Sequence, residues 1–249
     1  HYSGGVGDLD RIYKFAEKYN IRVIEDAAHS FGSTYKNRRI GSFGDISCFS
    51  FDGIKNITSG EGGCVVTNDE EILNLVKDAR LLGVEKDSEK RYNGKRSWDY
   101  KVKQQGWRYH MSDIMAAIGI EQLSRFNEIA EKRQKLAKFY VNQLKNEQQL
   151  RFINHNYNEV VPHIFPIIFC KKVNRNLVID HLDKNNIQTG IHYKPNHLHR
   201  FFNSKYNNNF HLHTSEEIFK SLLTLPLHEG LTEEEVKFIC KLLQEIIKK

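Results

Sequence analysis

Residues 44–69, GDISCFSFDGIKNITSGEGGCVVTND, carry the pattern that decides the architecture of this chain. Two short β-rich runs, GDISCFSF and GGCVVTND, flank a turn-forming segment, and one lysine, Lys55, stands between an aromatic-rich run and the glycines Gly60, Gly62 and Gly63. Upstream, GDLDRIYKFAEKYN offers Asp8 as an N-cap and sets Leu9, Ile12 and Ala16 on one helical face, and IRVIED follows as a short buried strand. Downstream, EEILNLVKDARLLG reads as a helix with Ile72, Leu75 and Val76 directed inward. Helices alternating with short strands are the pattern of a layered α/β domain.

Farther out, residues 85–105 are polar and without apolar periodicity, a loop longer than compact domains usually carry without a task. From Ser112 to about Leu144 the chain is helical, with Ala117, Ile120 and Leu123 at helical spacing and a break near Ser124. HIFPIIFC then reads as a strand, NLVIDHLDKNN as a helix, NSKYNNNFH as a polar loop and LLTLPL as a strand. The last helix opens with Thr232 and Glu235 at capping-box spacing and has an apolar stripe of Val236, Ile239, Leu243 and Ile246. The expected organisation is a large domain over residues 1–145, including a linking helix, and a smaller α+β domain over 146–249.

The 249 residues are 27% charged and 39% hydrophobic, an ordinary globular composition. Lys plus Arg exceeds Asp plus Glu by 37 − 31 = 6, which suits an anionic partner such as a phosphate ester. The charge is spread along the chain, so nucleic acid is not an expected partner. Cys48, Cys64, Cys170 and Cys240 have neither CxxC nor Cys/His metal spacing; they read as buried reduced thiols of a cytoplasmic protein, with no metal site. No apolar run approaches the roughly 20 residues of a membrane helix, so no membrane association is expected. The chain begins at His1 and its first methionine is Met111, so it reads as a fragment whose beginning has been cut away.

Candidate chemistry gathers around Lys55. IRVIED ends a strand on two acids, and in open α/β sheets ligands bind just outside the carboxyl ends of strands. Asp26 is therefore a candidate site residue; its plainer reading is a helix N-cap. Ala27 and Ala28 leave room for a flat ligand, and His29 is either a ring contact or a satisfied core histidine. A lysine near a carboxylate that holds a heterocyclic nitrogen is what pyridoxal phosphate requires: the amine makes the Schiff base, and the carboxylate keeps the ring an electron acceptor. Ser50 can offer a hydroxyl to a phosphate. The plainer reading of Lys55 is a solvated surface lysine. The glycines match neither GxxxxGK[ST] nor GxGxxG, which disfavours a nucleotide P-loop and a dinucleotide site.

Residues 23–69, VIEDAAHSFGSTYKNRRIGSFGDISCFSFDGIKNITSGEGGCVVTND, resemble the core signature of the DegT/DnrJ/StrS sugar aminotransferases. GWRYHMSDIMAAIGIEQL, IHYKPNHLH and LTLPLHEGLTEEEV extend the resemblance in order along essentially the whole chain. The resemblance implies a type I aminotransferase-like fold with a three-layer large domain, here incomplete at its N-terminal side. It implies a homodimer with shared active sites, a nucleotide-linked keto-sugar as acceptor and glutamate as amino donor. Carried onto this chain, it makes Lys55 the Schiff-base lysine, Asp26 the partner of the pyridine nitrogen, His29 the contact to the ring hydroxyl and Ser50 a phosphate ligand. Many relatives read G-x-N-Y-R-M where this chain has Gly106-Trp107-Arg108-Tyr109-His110-Met111, so Arg108 takes the place of an Asn that reaches a neighbour's phosphate. His192, Tyr193, His197 and His199 fall in the segment near the substrate side in relatives, or else form a polar surface loop. A non-catalytic or regulatory protein of the same fold and an anion-binding module are the competing readings; sugar dehydratases of this fold carry His where Lys55 stands.

Overall fold

The computed structural model describes residues 1–85, 93–94, 100–206 and 211–248. The chain divides into two compact units, His1–Ala130 with Glu159–Val161, and Glu131–Asn158 with Pro162–Lys249.

In the first unit the helix Leu9–Tyr19 starts on Asp8, whose carboxylate accepts from the amide of Arg11, and ends on Asn20 in the left-handed region. Strands β1 (Ile24–Asp26), β4 (Ile46–Ser50) and β5 (Gly63–Thr67) form one sheet in the order β1-β4-β5. β1 runs parallel to β4 and β5 antiparallel to it. Between β1 and β4 the chain makes a short hairpin, β2 (Thr34–Tyr35) and β3 (Arg38–Arg39), with Lys36 and Asn37 at positive φ. Leu9, Ala27 and Ile40 are buried together with Tyr13, Tyr35, Phe43 and Phe49 packed around them, so helix and hairpin are seated on the same apolar cluster. Burying each aliphatic side chain of this kind contributes about 1.5–3 kcal/mol.

Asp69 caps the helix Glu70–Ala79, accepting from the amides of Glu71 and Ile72 at 2.9 and 3.1 Å. The expected inward face of this helix is not buried: Leu75 is 43% exposed and no residue of the helix is fully covered. Ile12 differs in the same way, 44% exposed where Leu9 and Ala16 are buried. The helix Asp113–Ser124 and the helix Phe126–Leu144 are separated at Arg125, close to the expected break. Ile120 and Leu123 of the former are exposed, because no described residue of the chain covers them.

In the second unit β6 (Leu150–Phe152), β7 (Phe165–Phe169) and β8 (Leu222–Leu225) form an antiparallel sheet in sequence order. The helices Arg175–Asp183, Arg200–Tyr206, His213–Ser221 and Glu233–Ile247 complete it. Its core includes Leu136, Tyr140, Leu144, Phe165, Ile167, Leu182, Leu223, Ile239 and Leu243. Tyr140 stacks on Phe165 with ring centroids 4.7 Å apart and donates its hydroxyl to the carbonyl of Pro226. Thr232 and Glu235 form the expected capping box. The segment NSKYNNNFH is not wholly a loop: Asn203 to Tyr206 finish a helix, and residues 207–210 lie outside the described residues. Of the polar stretch 85–105, residues 86–92 and 95–99 also lie outside them.

Candidate active site

Side chains alternate across a strand, so the two acids that end β1 point to opposite faces. Glu25 is buried: its carboxylate accepts from the Tyr13 hydroxyl at 2.6 Å and lies 2.7 Å from His1 Nε2. Burial and this carboxylate hold the Tyr13 phenol well above its ordinary value. Asp26 is exposed and faces the other way. It pairs with Cys48 of β4, which puts Asp26, Cys48 and Ser50 on one face of the sheet. Burial, with Asp26 beside it, pushes the Cys48 thiol up. No helix follows Asp26; its carboxylate accepts from the amide of Ala28 at 3.1 Å and shapes a turn, so the helix N-cap reading does not hold.

Because β1 and β4 are parallel, Asp26 and Ser50 end their strands at the same edge of the sheet. Lys55 lies on the turn that leaves β4 at that edge. The turn is built by local bonds: Lys55 N donates to Asp52 O at 3.0 Å, Ile54 N to the Asp52 carboxylate at 3.0 Å, and Phe51 N to Gly62 O at 2.8 Å. A Cβ at Gly62 would meet the Ser59 hydroxyl and the Met111 methyl at 2.6 Å, and its φ of +154° is a backbone conformation that favours glycine. Lys55 is half-buried, and among the described residues its amine has no ion pair. The next two residues, Asn56 and Ile57, are 3% and 4% exposed. Phe31 meets Phe49, Phe51 and Phe126 edge to face beneath them. Ser50 Oγ accepts only a long bond, 3.4 Å, from the amide of Asp52, and its own proton is available to a ligand.

His29 sits on the turn after Asp26, buried, with Nδ1 accepting from the amide of Ser3 at 3.3 Å. Arg108 is exposed and belongs to a separate crossing in the same unit, where residues 106–109 lie antiparallel to 79–82 and Trp107 N donates to Ala79 O at 2.6 Å. Among the described residues it makes no ion pair, with Asp113 included. The structure therefore brings Asp26, His29, Ser50 and Lys55 to one edge of one sheet. His192, Tyr193, His197 and His199 belong to the second unit. There His192 Nδ1 lies 2.9 Å from the Thr224 hydroxyl, His197 Nε2 lies 3.0 Å from Glu216, and Tyr193 and His199 are exposed. The reading by residue type missed Asn56, whose role rests on a partner about a hundred residues away; the only local sign was a polar residue wedged between Lys55 and an apolar Ile57.

The model of the DegT/DnrJ/EryC1/StrS aminotransferase family matches residues 1–244. The chain belongs to that family. It is 32% identical over its whole length to the UDP-4-amino-4,6-dideoxy-N-acetyl-beta-L-altrosamine transaminase of Campylobacter jejuni, of which it covers 64%. It also superimposes on PseC of Helicobacter pylori, an aminotransferase involved in pseudoaminic acid biosynthesis, with TM-score 0.89 and 27% identity, covering 99% of this chain and 65% of that one. The putative sugar aminotransferase Spr1654 of Streptococcus pneumoniae, solved in its PLP form, gives TM-score 0.84 and 27% identity, with 99% of this chain and 67% of that one covered. The chain thus spans about two-thirds of the length of the curated relatives it matches, 65% of the first. The fold expected from the resemblance, an α/β aminotransferase fold, is the one these structures share.

Proposed function

We propose that the whole protein transfers an amino group from an amino acid, glutamate, to a nucleotide-linked keto-sugar, with pyridoxal phosphate as cofactor. The observation that carries this reading is the half-buried Lys55 on the turn leaving β4, at the sheet edge where Asp26 and Ser50 also end their strands. The donor set fits the group: an amine without an ion pair among the described residues, an exposed carboxylate held in place by the Ala28 amide, and a hydroxyl with its proton to give. When bound, pyridoxal phosphate supplies a carbonyl for exchange with amines and a ring that accepts electrons.

In this reading Lys55 would attach the cofactor and carry the proton to and from the substrate. Asp26 would hold the ring nitrogen, Ser50 the phosphate and His29 the ring hydroxyl. Arg108 serves a neighbouring subunit of a homodimer, and His192, Tyr193, His197 and His199 are candidate sugar contacts. Of the four free cysteines only Cys240 is buried as expected, Cys48, Cys64 and Cys170 being half-buried; as thiols without metal or CxxC spacing they support a reducing, cytoplasmic setting. Amino-sugar synthesis for a surface polysaccharide is the role supported by the similarity to a UDP-amino-sugar transaminase and to the spore coat polysaccharide biosynthesis protein SpsC of Bacillus subtilis.

The test is to incubate the whole protein with pyridoxal phosphate, reduce with borohydride and locate the adduct by peptide mass. The adduct is expected on Lys55 and should vanish in Lys55→Ala. An adduct that persists on another lysine would sink the reading.

A further inference from the structure

Asn56 follows Lys55 in the chain and is 3% exposed. Its side-chain amide donates to Val161 O at 3.1 Å and to Phe31 O at 3.4 Å. Phe31 lies on the turn that follows Asp26 and His29. Val161 is also fixed to that turn, since its amide donates to the Ser33 hydroxyl at 3.0 Å, and the Ser33 hydroxyl donates to Gly4 O at 2.9 Å. Thr34 N adds a bond to Glu159 O at 2.8 Å. One buried amide therefore joins the lysine turn both directly to the aspartate turn and through the segment Glu159–Val161.

The apolar anchor beside it has a different character. Ile57 packs in a cluster with Phe126, Ala130 and Val161, with Phe31 and Phe51 against it. Such packing is non-directional, whereas hydrogen bonds at these distances fix both spacing and orientation. Asn56 is also an expensive choice for mere filling. Burying its amide costs free energy, and its Oδ1 has no hydrogen-bond partner among the described residues, so an apolar side chain of similar volume would suit packing better.

We propose that Asn56 is a positioning residue: its two donated bonds set where Lys55 stands relative to the turn that carries Asp26 and His29. This rests on the reading of Lys55 as the cofactor lysine, yet its test does not require cofactor. In the cofactor-free protein, trace labelling of lysines with acetic anhydride reads the reactivity of Lys55 against Lys77 and Lys145 as internal standards. Asn56→Ala, and the isosteric Asn56→Asp if the alanine variant does not fold, should change the relative labelling of Lys55 by about fivefold, the equivalent of one lost hydrogen bond. Ile57→Val, which thins the packing without touching a hydrogen bond, should leave that ratio unchanged. In the cofactor-loaded protein the same Asn56 variants should shift the visible absorption of the bound cofactor and lower kcat with the sugar KM unchanged. If Asn56→Ala and Asn56→Asp lower the melting temperature but keep Lys55 labelling and the absorption band of the parent, Asn56 is structural only and the proposal is overturned. If the parent protein takes no cofactor on Lys55, the functional reading falls, while the labelling comparison still decides the role of Asn56.

Discussion

At the scale of single residues, the pair Glu25 and Asp26 shows how one strand separates a buried acid from an exposed one. The pleat turns Glu25 inward to Tyr13 and His1 and leaves Asp26 facing out beside Cys48. In the proposed function the Asp26 carboxylate would hold the cofactor's ring nitrogen and so support the ring as an electron acceptor. Asp26→Ala should therefore cut turnover by roughly a hundredfold or more, the usual loss when one electrostatic contact is removed from an active site. Borohydride should still trap cofactor on Lys55 in this variant. Near-normal turnover would reduce Asp26 to a shaper of the Ala28 turn. Asp26 was legible in the sequence as an acid at a strand end, whereas the inward turn of Glu25 toward Tyr13 and His1 was not read there. Asn56 was not, since its partners Phe31 and Val161 come from distant parts of the chain and no local periodicity announces them.

At the scale of elements, the ends of helices and strands were easier to read than their packing. The last helix carried its own start signal in Thr232 and Glu235, and Val236, Ile239 and Leu243 of its stripe are buried as the spacing predicts, while Ile246 is half-buried and its neighbour Ile247 is buried instead. The helices Glu70–Ala79 and Asp113–Ser124 follow the same rule for existence but not for burial, because what covers an apolar face is a tertiary matter. The two-residue strands β2 and β3 are too short to show a period. An ion-pair cluster ties several of these elements together. Arg22 donates to Asp45 at 2.6 and 2.9 Å and to Asp69 at 3.0 Å, Val23 N also donates to Asp45, and Asp69 caps the helix Glu70–Ala79. The Arg22 guanidinium holds the Asp45 carboxyl below the usual carboxylate range. A group depressed in the folded state stabilises the fold above its unfolded value, about 3.9, and loses that contribution as the pH falls through its lower folded value. Asp45→Asn should thus lower the urea midpoint at pH 7, with the gap to the parent closing below about pH 4. A gap that stays constant from pH 7 down to pH 2.5 would show that the Asp45 charge is not its source.

At the scale of the whole molecule, the proposed homodimer gives Arg108 a task that its own chain does not. The side chain is exposed, it makes no ion pair among the described residues, and the turn that bears it is braced by the backbone bonds of Trp107 and Tyr109 to residues 79–82. The helix that follows, Asp113–Ser124, exposes Ile114, Ile118, Ile120 and Leu123, an apolar surface of the kind that meets another surface in an assembly. A guanidinium can hold two phosphate oxygens at once, and charge-assisted bonds of this type are worth roughly 1.5–3 kcal/mol when well formed. Arg108→Ala should then weaken cofactor retention, and mixed dimers of the whole protein decide whose cofactor it holds. If Arg108 serves the neighbour, a dimer of one Lys55→Ala subunit and one Arg108→Ala subunit gathers both defects in a single site. The other site keeps both residues, so at a cofactor concentration too low to fill Arg108→Ala sites, activity should rise above the sum of the two variants when they are mixed and allowed to exchange subunits. If Arg108 serves its own subunit, each site of the mixed dimer carries one defect and mixing restores nothing, which would return Arg108 to its own chain.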